Sequence, residues 1–162
     1  MSNYEFSYNA VVLRFGSNTP YFPLTMSYGI FQDPISNHVF TSIDAYIGYN
    51  MFSRPEDKRE VLRAPNGYIA DLNIKNLLKR LNATENDPII DPNWEKDMDK
   101  IMLDGLRLKF EQSSCMLNIL RKTKDRPIFD SSRRDDKYWC FVDGEGENKH
   151  GKLLEKIREE LC

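Results

Sequence analysis

The chain has 162 residues, 23 Lys+Arg against 25 Asp+Glu, and a formal net charge of -2. That length suits one compact domain, and 40% hydrophobic with 12% aromatic residues excludes wholesale disorder. The even charge balance excludes a strongly basic nucleic-acid binder but leaves room for a modified base, a nucleotide or a short single strand, and no apolar run approaches the roughly 20 residues that span a bilayer.

The opening segment, Met1 to Phe15, mixes Asn3, Glu5 and Asn9 among apolar residues, so it does not read as a secretory signal. Within it Ala10 to Phe15 is short, β-branched and apolar, a strand punctuated by Gly16-Ser17-Asn18-Thr19-Pro20. An aromatic, loop-like stretch runs from Tyr21 to Gln32, Asp33-Pro34 makes a turn, and His38-Val39-Phe40 is a second short strand. Thr41 or Ser42 caps a helix to about Phe52, with Ile43, Tyr46, Ile47 and Met51 on one face, and Arg54-Pro55 ends or kinks it. Ala70, Ile74, Leu77, Leu78 and Leu81 mark a second helix, and Asn82 to Pro92 is a proline-bounded loop. A long helix follows from Asn93-Trp94 to about Gln112, striped by Trp94, Met98, Ile101, Met102 and Gly105. Ser113 or Ser114 caps the next, which continues to Lys122. Pro127 to Asp130 reads as a strand, Ser131 to Gly146 as a polar loop holding Trp139, and Leu153, Leu154, Ile157 and Leu161 as a short C-terminal helix. With no repeat, low-complexity tract or linker, the reading is a single compact domain over residues 1–162, α+β and mostly helical with a small sheet.

Three cysteines, Cys115, Cys140 and Cys162, form no C-x-x-C pair, which predicts reduced thiols in a cytoplasmic protein. The only histidines, His38 and His150, lack partners at ligand spacing, so no metal and no cofactor are expected. Three regions set polar groups beside aromatics. Asp44 falls in the first turn of a helix, where spacing alone favours a dipole-compensating acid worth about 0.3–1 kcal/mol. Trp94, after Asp91-Pro92-Asn93, reads as a core anchor before a base-stacking platform. Asp135-Asp136-Lys137-Tyr138-Trp139, running on to Gly144 through Gly151, is an acid–aromatic loop leading into a helix whose N–H groups and dipole could face a phosphate. It lacks the G-x-x-x-x-G-K-[ST] spacing, however. By itself Gly151 reads as turn geometry or close helix packing, and His150 as an exposed loop residue.

The C-terminal half resembles the NADAR family, with its YbiA-like N-glycosidase branch. The matches run Trp94, Ile101-Met102, Lys109-Phe110-Glu111-Gln112, Leu120 to Thr123, Asp130, Asp136-Lys137-Tyr138-Trp139, Gly146-Glu147-Asn148-Lys149-His150-Gly151 and Ile157-Arg158, in the family's order over about 70 residues. The N-terminal half departs more. Leu24-Thr25-Met26-Ser27-Tyr28 keeps the ends of an L-S-N-F-Y-like segment. Against S-x-E-H-x-x-Q-x-x-K the chain keeps Ser42 but carries Asp44 for Glu, Ala45 for His, Gly48 for Gln and Met51 for Lys.

The resemblance implies a compact α+β fold and hydrolysis of an N-glycosidic bond in a ribosylated base or nucleotide, of the ADP-ribosylated guanine or riboflavin-pathway ribosylamine type. Its partner would be that small molecule, or a modified base within a nucleic acid, with no membrane involved. Carried over by position, Asp44 is the acid that stabilises positive charge on the sugar and Asp136 the second carboxylate. Trp94 and Trp139 wall the base, Tyr28 joins the substrate contacts, and Asn148 with the Gly151 turn holds ribose or phosphate. Two outcomes are left open by the departures. Either the chemistry survives in altered form, since Met51 can form no imine and Asp44 is one methylene shorter than Glu, or the chain is catalytically degenerate and binds or sequesters an ADP-ribose-like nucleotide.

Overall fold

The structure, a computed structural model, describes residues 9–16, 19–81 and 89–162. Expectations for residues 1–8, for positions 17–18 of the first turn and for positions 82–88 of the proline-bounded loop lie outside the described residues. In chain order the elements are β1 (Val11–Leu13), a 3-10 helix (Phe22–Leu24), β2 (Phe31–Gln32), β3 (Val39–Phe40), α1 (Ile43–Met51), α2 (Pro55–Leu62), α3 (Gly67–Leu81), α4 (Trp94–Glu111), α5 (Ser114–Lys122), β4 (Ile128–Asp130) and α6 (Lys149–Leu161). This is the expected α+β, mostly helical architecture. No described helix is long and apolar enough to cross a membrane.

The chain gathers into two compact units, Met26–Lys109 on the one hand and Met1–Thr25 with Phe110–Cys162 on the other. In Met26–Lys109, β2 and β3 pair antiparallel, Phe31 opposite Phe40 and Gln32 opposite Val39. The link between them is tied by Asp33, whose carboxylate accepts the Ile35 N–H at 3.0 Å and the Ser36 hydroxyl at 2.7 Å. β2 lies inside the stretch read as loop, because a two-residue strand is too short to show alternation. α1 starts where expected, the Ser42 hydroxyl accepting the Ala45 N–H at 3.1 Å. Arg54-Pro55 does end it, but Pro55 then opens α2, a helix the sequence reading passes over. Proline suits a first helical position because its missing N–H would have no partner there. α1 packs on both α2 and α3. A β-carbon at Gly48 would lie 2.7 Å from Ile74 Cδ1 and 3.0 Å from Val61 Cγ1.

In the other unit β1 and β4 pair in parallel, Val11 opposite Ile128 and Leu13 opposite Asp130. α6 packs on β4 and on α5. Thr123, wholly buried at the end of α5, donates to the Leu120 carbonyl at 2.6 Å and accepts from Arg158 Nη1 at 2.9 Å. Arg158 also donates to the Arg126 carbonyl at 2.8 Å. The L-x-x-T and terminal Arg matches are therefore one structural device joining α5 to α6. α6 begins at Lys149, earlier than its leucines indicate, and takes His150 into the interior with Leu154 and Ile157. The expectation that His150 is an exposed loop residue is thereby corrected: it falls four residues before Leu154, on the buried stripe of the helix.

Candidate active site

Asp44 is the second residue of α1, and it is only 3% exposed. Its N–H donates to the Met26 carbonyl at 3.2 Å, and its Oδ2 accepts the Ser27 hydroxyl at 3.0 Å. A dipole-compensating acid is normally solvated; this one is enclosed, and a buried carboxylate needs such donors. Tyr28, the next residue after its hydroxyl partner, is 44% exposed. Trp94 opens α4 with its N–H on the Asp91 carbonyl at 2.9 Å. At 8% exposure it behaves as the core anchor that its sequence position favours. Lys109, in the K-F-x-Q match on the same helix, is wholly buried.

The other predicted residues lie in the second unit, around the loop between β4 and α6. Asp136 folds this loop back on itself: Oδ1 accepts the Tyr138 N–H at 3.1 Å and the Trp139 N–H at 2.9 Å. No hydrogen bond from the described residues reaches its Oδ2. Burial pushes the carboxyl above the ordinary 3.8, and the charge of Asp130 adds to this; the two N–H groups and Arg133 oppose it without cancelling it. Trp139 is 9% exposed, with Tyr138 edge-on to its indole at 4.8 Å. Neither Trp94 nor Trp139 presents an open face, so the exposed aromatic of the predicted set is Tyr28.

The first N–H groups of α6 do not wait for a phosphate. Asn148 N donates to the Cys140 carbonyl at 3.2 Å, Lys149 N to Tyr138 at 3.2 Å and His150 N to Trp139 at 3.0 Å. Loop carbonyls thus occupy donors that a helix start would otherwise offer to an anion. Asn148 and Gly151 are likewise engaged in the fold. The Asn148 amide accepts the Asp130 N–H at 2.9 Å and donates to the Ile128 carbonyl at 2.8 Å. It does so from a left-handed backbone conformation, φ 54°. A β-carbon on Gly151 would sit 2.1 Å from that same Ile128 oxygen. Close packing, the plain reading of Gly151, describes the structure, and Asn148 and Gly151 together seat α6 on β4.

Sequence reasoning missed one pair. His150 Nδ1 lies 2.6 Å from Asp130 Oδ2, both side chains fully enclosed. Ionised Asp130 can only accept, so the ring hydrogen is on Nδ1. Burial alone would raise the Asp130 carboxyl, but the hydrogen bond and charge of His150, with the Ser132 contacts, hold it below the ordinary 3.8. The signal was present in the i, i+4, i+7 placement of His150 with Leu154 and Ile157, which puts a histidine on a buried face that needs a partner. Cys140, also buried, has its thiol pushed far up by desolvation, which makes it a packing residue and no nucleophile. Among the described residues no three His, Cys, Asp or Glu side chains gather as metal ligands.

A family profile described as "NADAR domain" matches residues 14–162. The chain belongs to the NADAR family. Within 70 residues it is 32% identical to the N-glycosidase YbiA of Escherichia coli (strain K12) and 31% identical to that of Shigella boydii serotype 4, each match covering 43% of this chain and 44% of the relative. The chain thus aligns with less than half the length of these curated relatives. An NMR structure of the E. coli protein YbiA superposes with a TM-score of 0.69, covering 93% of this chain and 84% of that one at 20% identity, so the two share the fold.

Proposed function

We propose that this chain is an N-glycosidase-type hydrolase that cleaves the bond between ribose and the nitrogen of a ribosylated base or nucleotide, of the ADP-ribosylated guanine or riboflavin-pathway ribosylamine type. The observation that carries the reading is the Asp136 carboxyl. One oxygen is anchored by two backbone N–H groups and the other takes no hydrogen bond from the described residues, in surroundings that favour the protonated form. A carboxylic acid held in place with a raised pKa is suited to protonate a departing ring nitrogen.

In this reading Asp136 gives its proton to the leaving nitrogen as the C1′–N bond breaks and the electron pair goes to the base. Stabilising the positive charge that develops on the sugar is the role that the family resemblance carries to Asp44, whose carboxylate Ser27 holds within its own unit. Water then adds its oxygen to C1′ and returns a proton to Asp136, yielding the free base and a ribose carrying a hydroxyl at C1′. Tyr28, which the resemblance adds to the substrate contacts, has exposed ring surface of the kind on which a flat heterocycle stacks for about 1–3 kcal/mol. No imine is required, in keeping with Met51 in place of the family's lysine.

The test incubates the chain with ADP-ribosylated guanosine and, separately, with a riboflavin-pathway ribosylamine, and measures released ADP-ribose or ribose phosphate. Release with one of them, reduced about 100-fold or more in Asp136→Asn, is the expected result. Binding by calorimetry with both ligands recovered intact would replace this reading with that of a protein that sequesters a nucleotide.

A further inference from the structure

The buried pair left unused by this chemistry, Asp130 and His150, stands where the loop bearing Asp136 is fastened at both ends. His150 Nε2 has no hydrogen-bond partner among the described residues, so Asp130 alone orients the ring through hydrogen bonding. Asp130 also serves the loop directly. Its Oδ1 accepts the Ser132 N–H at 2.9 Å, and its carbonyl accepts the Phe141 N–H at 2.7 Å. From the helix side, His150 N holds the Trp139 carbonyl at 3.0 Å, while Trp139 N holds Asp136 Oδ1 at 2.9 Å. A continuous path of short contacts therefore runs from Asp130 through His150 and Trp139 to the Asp136 carboxyl.

We propose that the Asp130–His150 pair is a positioning element for Asp136, locking the end of β4 to the first turn of α6 so that the Trp139 segment presents Asp136 with one oxygen bound and the other open. The role rests on the reading of Asp136 as the working acid. The pair never touches substrate.

The charges around it give the path a measurable consequence. Asp130 faces His150 from α6 and the neutral Cys140 thiol from the loop, while β1 on its other side brings only Val11, Val12 and Leu13. Asp136 faces Arg133 on its own loop and Asp130 on β4. Without the His150 ring, burial would dominate at Asp130 and the carboxylate would take up a proton. The negative charge that helps hold Asp136 up would then be gone, and a loosened loop would admit water to Asp136. Both effects move Asp136 downward.

The test follows the Asp136 side-chain carboxyl by carbon-13 NMR titration in the full chain, with no substrate present. His150→Leu removes the contact to Asp130. His150→Asn keeps a donor near the Nδ1 position, and circular dichroism and thermal melting confirm that each variant is folded. A midpoint lower by about half a pH unit or more is expected in His150→Leu, with His150→Asn restoring the parent value. In hydrolysis assays His150→Leu should lower kcat while leaving KM within about twofold. An unmoved Asp136 midpoint in folded His150→Leu, or an equal shift in His150→Asn, overturns the proposal. If His150→Leu does not fold, Asp130→Asn takes its place: the same downward shift supports the proposal, and an unmoved midpoint overturns it. Because the titration needs no turnover, it stands even where Asp136→Asn leaves hydrolysis intact, a result that would defeat the functional reading alone.

Discussion

Asp136 is held in an environment that disfavours its own charge, and that cost is a testable property of one residue. Replacing it with Asn keeps an oxygen to accept the Tyr138 and Trp139 N–H groups and removes an ionisable group whose carboxyl burial holds above 3.8. With the folded pKa above the unfolded one, the stability linked to this group is fully present below 3.8 and declines as pH rises through the folded value. Asp136→Asn should therefore melt no lower than the parent at pH 7, while its hydrolysis falls about 100-fold or more. Paired melting curves and rate measurements check this, and a lower melting temperature would mean that the carboxylate is needed for folding. The same sign governs the rate: a general acid works only while protonated, so the rate should decline as pH rises through the Asp136 pKa. In a pH–rate profile that limb should vanish in the Asn variant.

At the scale of elements, the seat of α6 on β4 and the packing of α1 against its neighbours are both close approaches, but of different kinds. A β-carbon at residue 151 would meet a backbone oxygen, Ile128 O at 2.1 Å, with the buried Asn148 amide 2.6 Å away. Neither can move without unseating the helix. Gly151→Ala should cost on the order of 3 kcal/mol by urea denaturation. At Gly48 the nearest atom is the end of the Ile74 side chain, which can rotate away, and Ala has the better helix propensity. Gly48→Ala should therefore cost about 1 kcal/mol or less. Equal costs at the two sites would show that backbone contact is not what distinguishes them. The same elements show what was legible in the sequence. α1 and α5 could be placed from serine caps and α4 from 3.6-residue periodicity, signals that a helix with one apolar face cannot hide. α2 was missed because it buries only Asp57 and Val61 and opens on a proline read as a stop. β3 was legible after the Asp33-Pro34 turn, but its partner β2 pairs over two residues, below the length at which alternation can be seen. In the candidate site, Asp44 and Asp136 were singled out by resemblance to the family's motifs. The burial of His150 is legible in its spacing from Leu154 and Ile157, but the partners of Asn148 and His150, 18 and 20 positions away, leave no local pattern.

For the whole molecule, the pairing of β1 with β4 joins segments far apart in the chain. The strands are parallel, and the entire Met26–Lys109 unit lies between them in sequence, so this pairing closes a very long loop. Such a closure must be secured by strong local contacts at its seam. Asp130 sits there, opposite Leu13, with the Ser131 N–H on the Leu13 carbonyl at 2.8 Å and the His150 contact behind it. Its carboxyl is held below 3.8 in the folded chain, so the stability it contributes is fully present above 3.8 and is lost as pH falls through the lower folded value. The seam should consequently be an acid-labile point of the fold. In urea titrations from pH 7 down to pH 2.5, roughly the range over which buried carboxylates lose their charge, the parent should lose stability most steeply below pH 3.8. Asp130→Asn should start less stable at pH 7, since a neutral amide gives His150 a weaker acceptor, and should lose less on acidification, so that the two curves converge. Parallel curves would mean that the charge of Asp130 adds nothing to the seam, leaving apolar packing of Val11, Leu13 and Ile128 to hold the distant ends of the chain together.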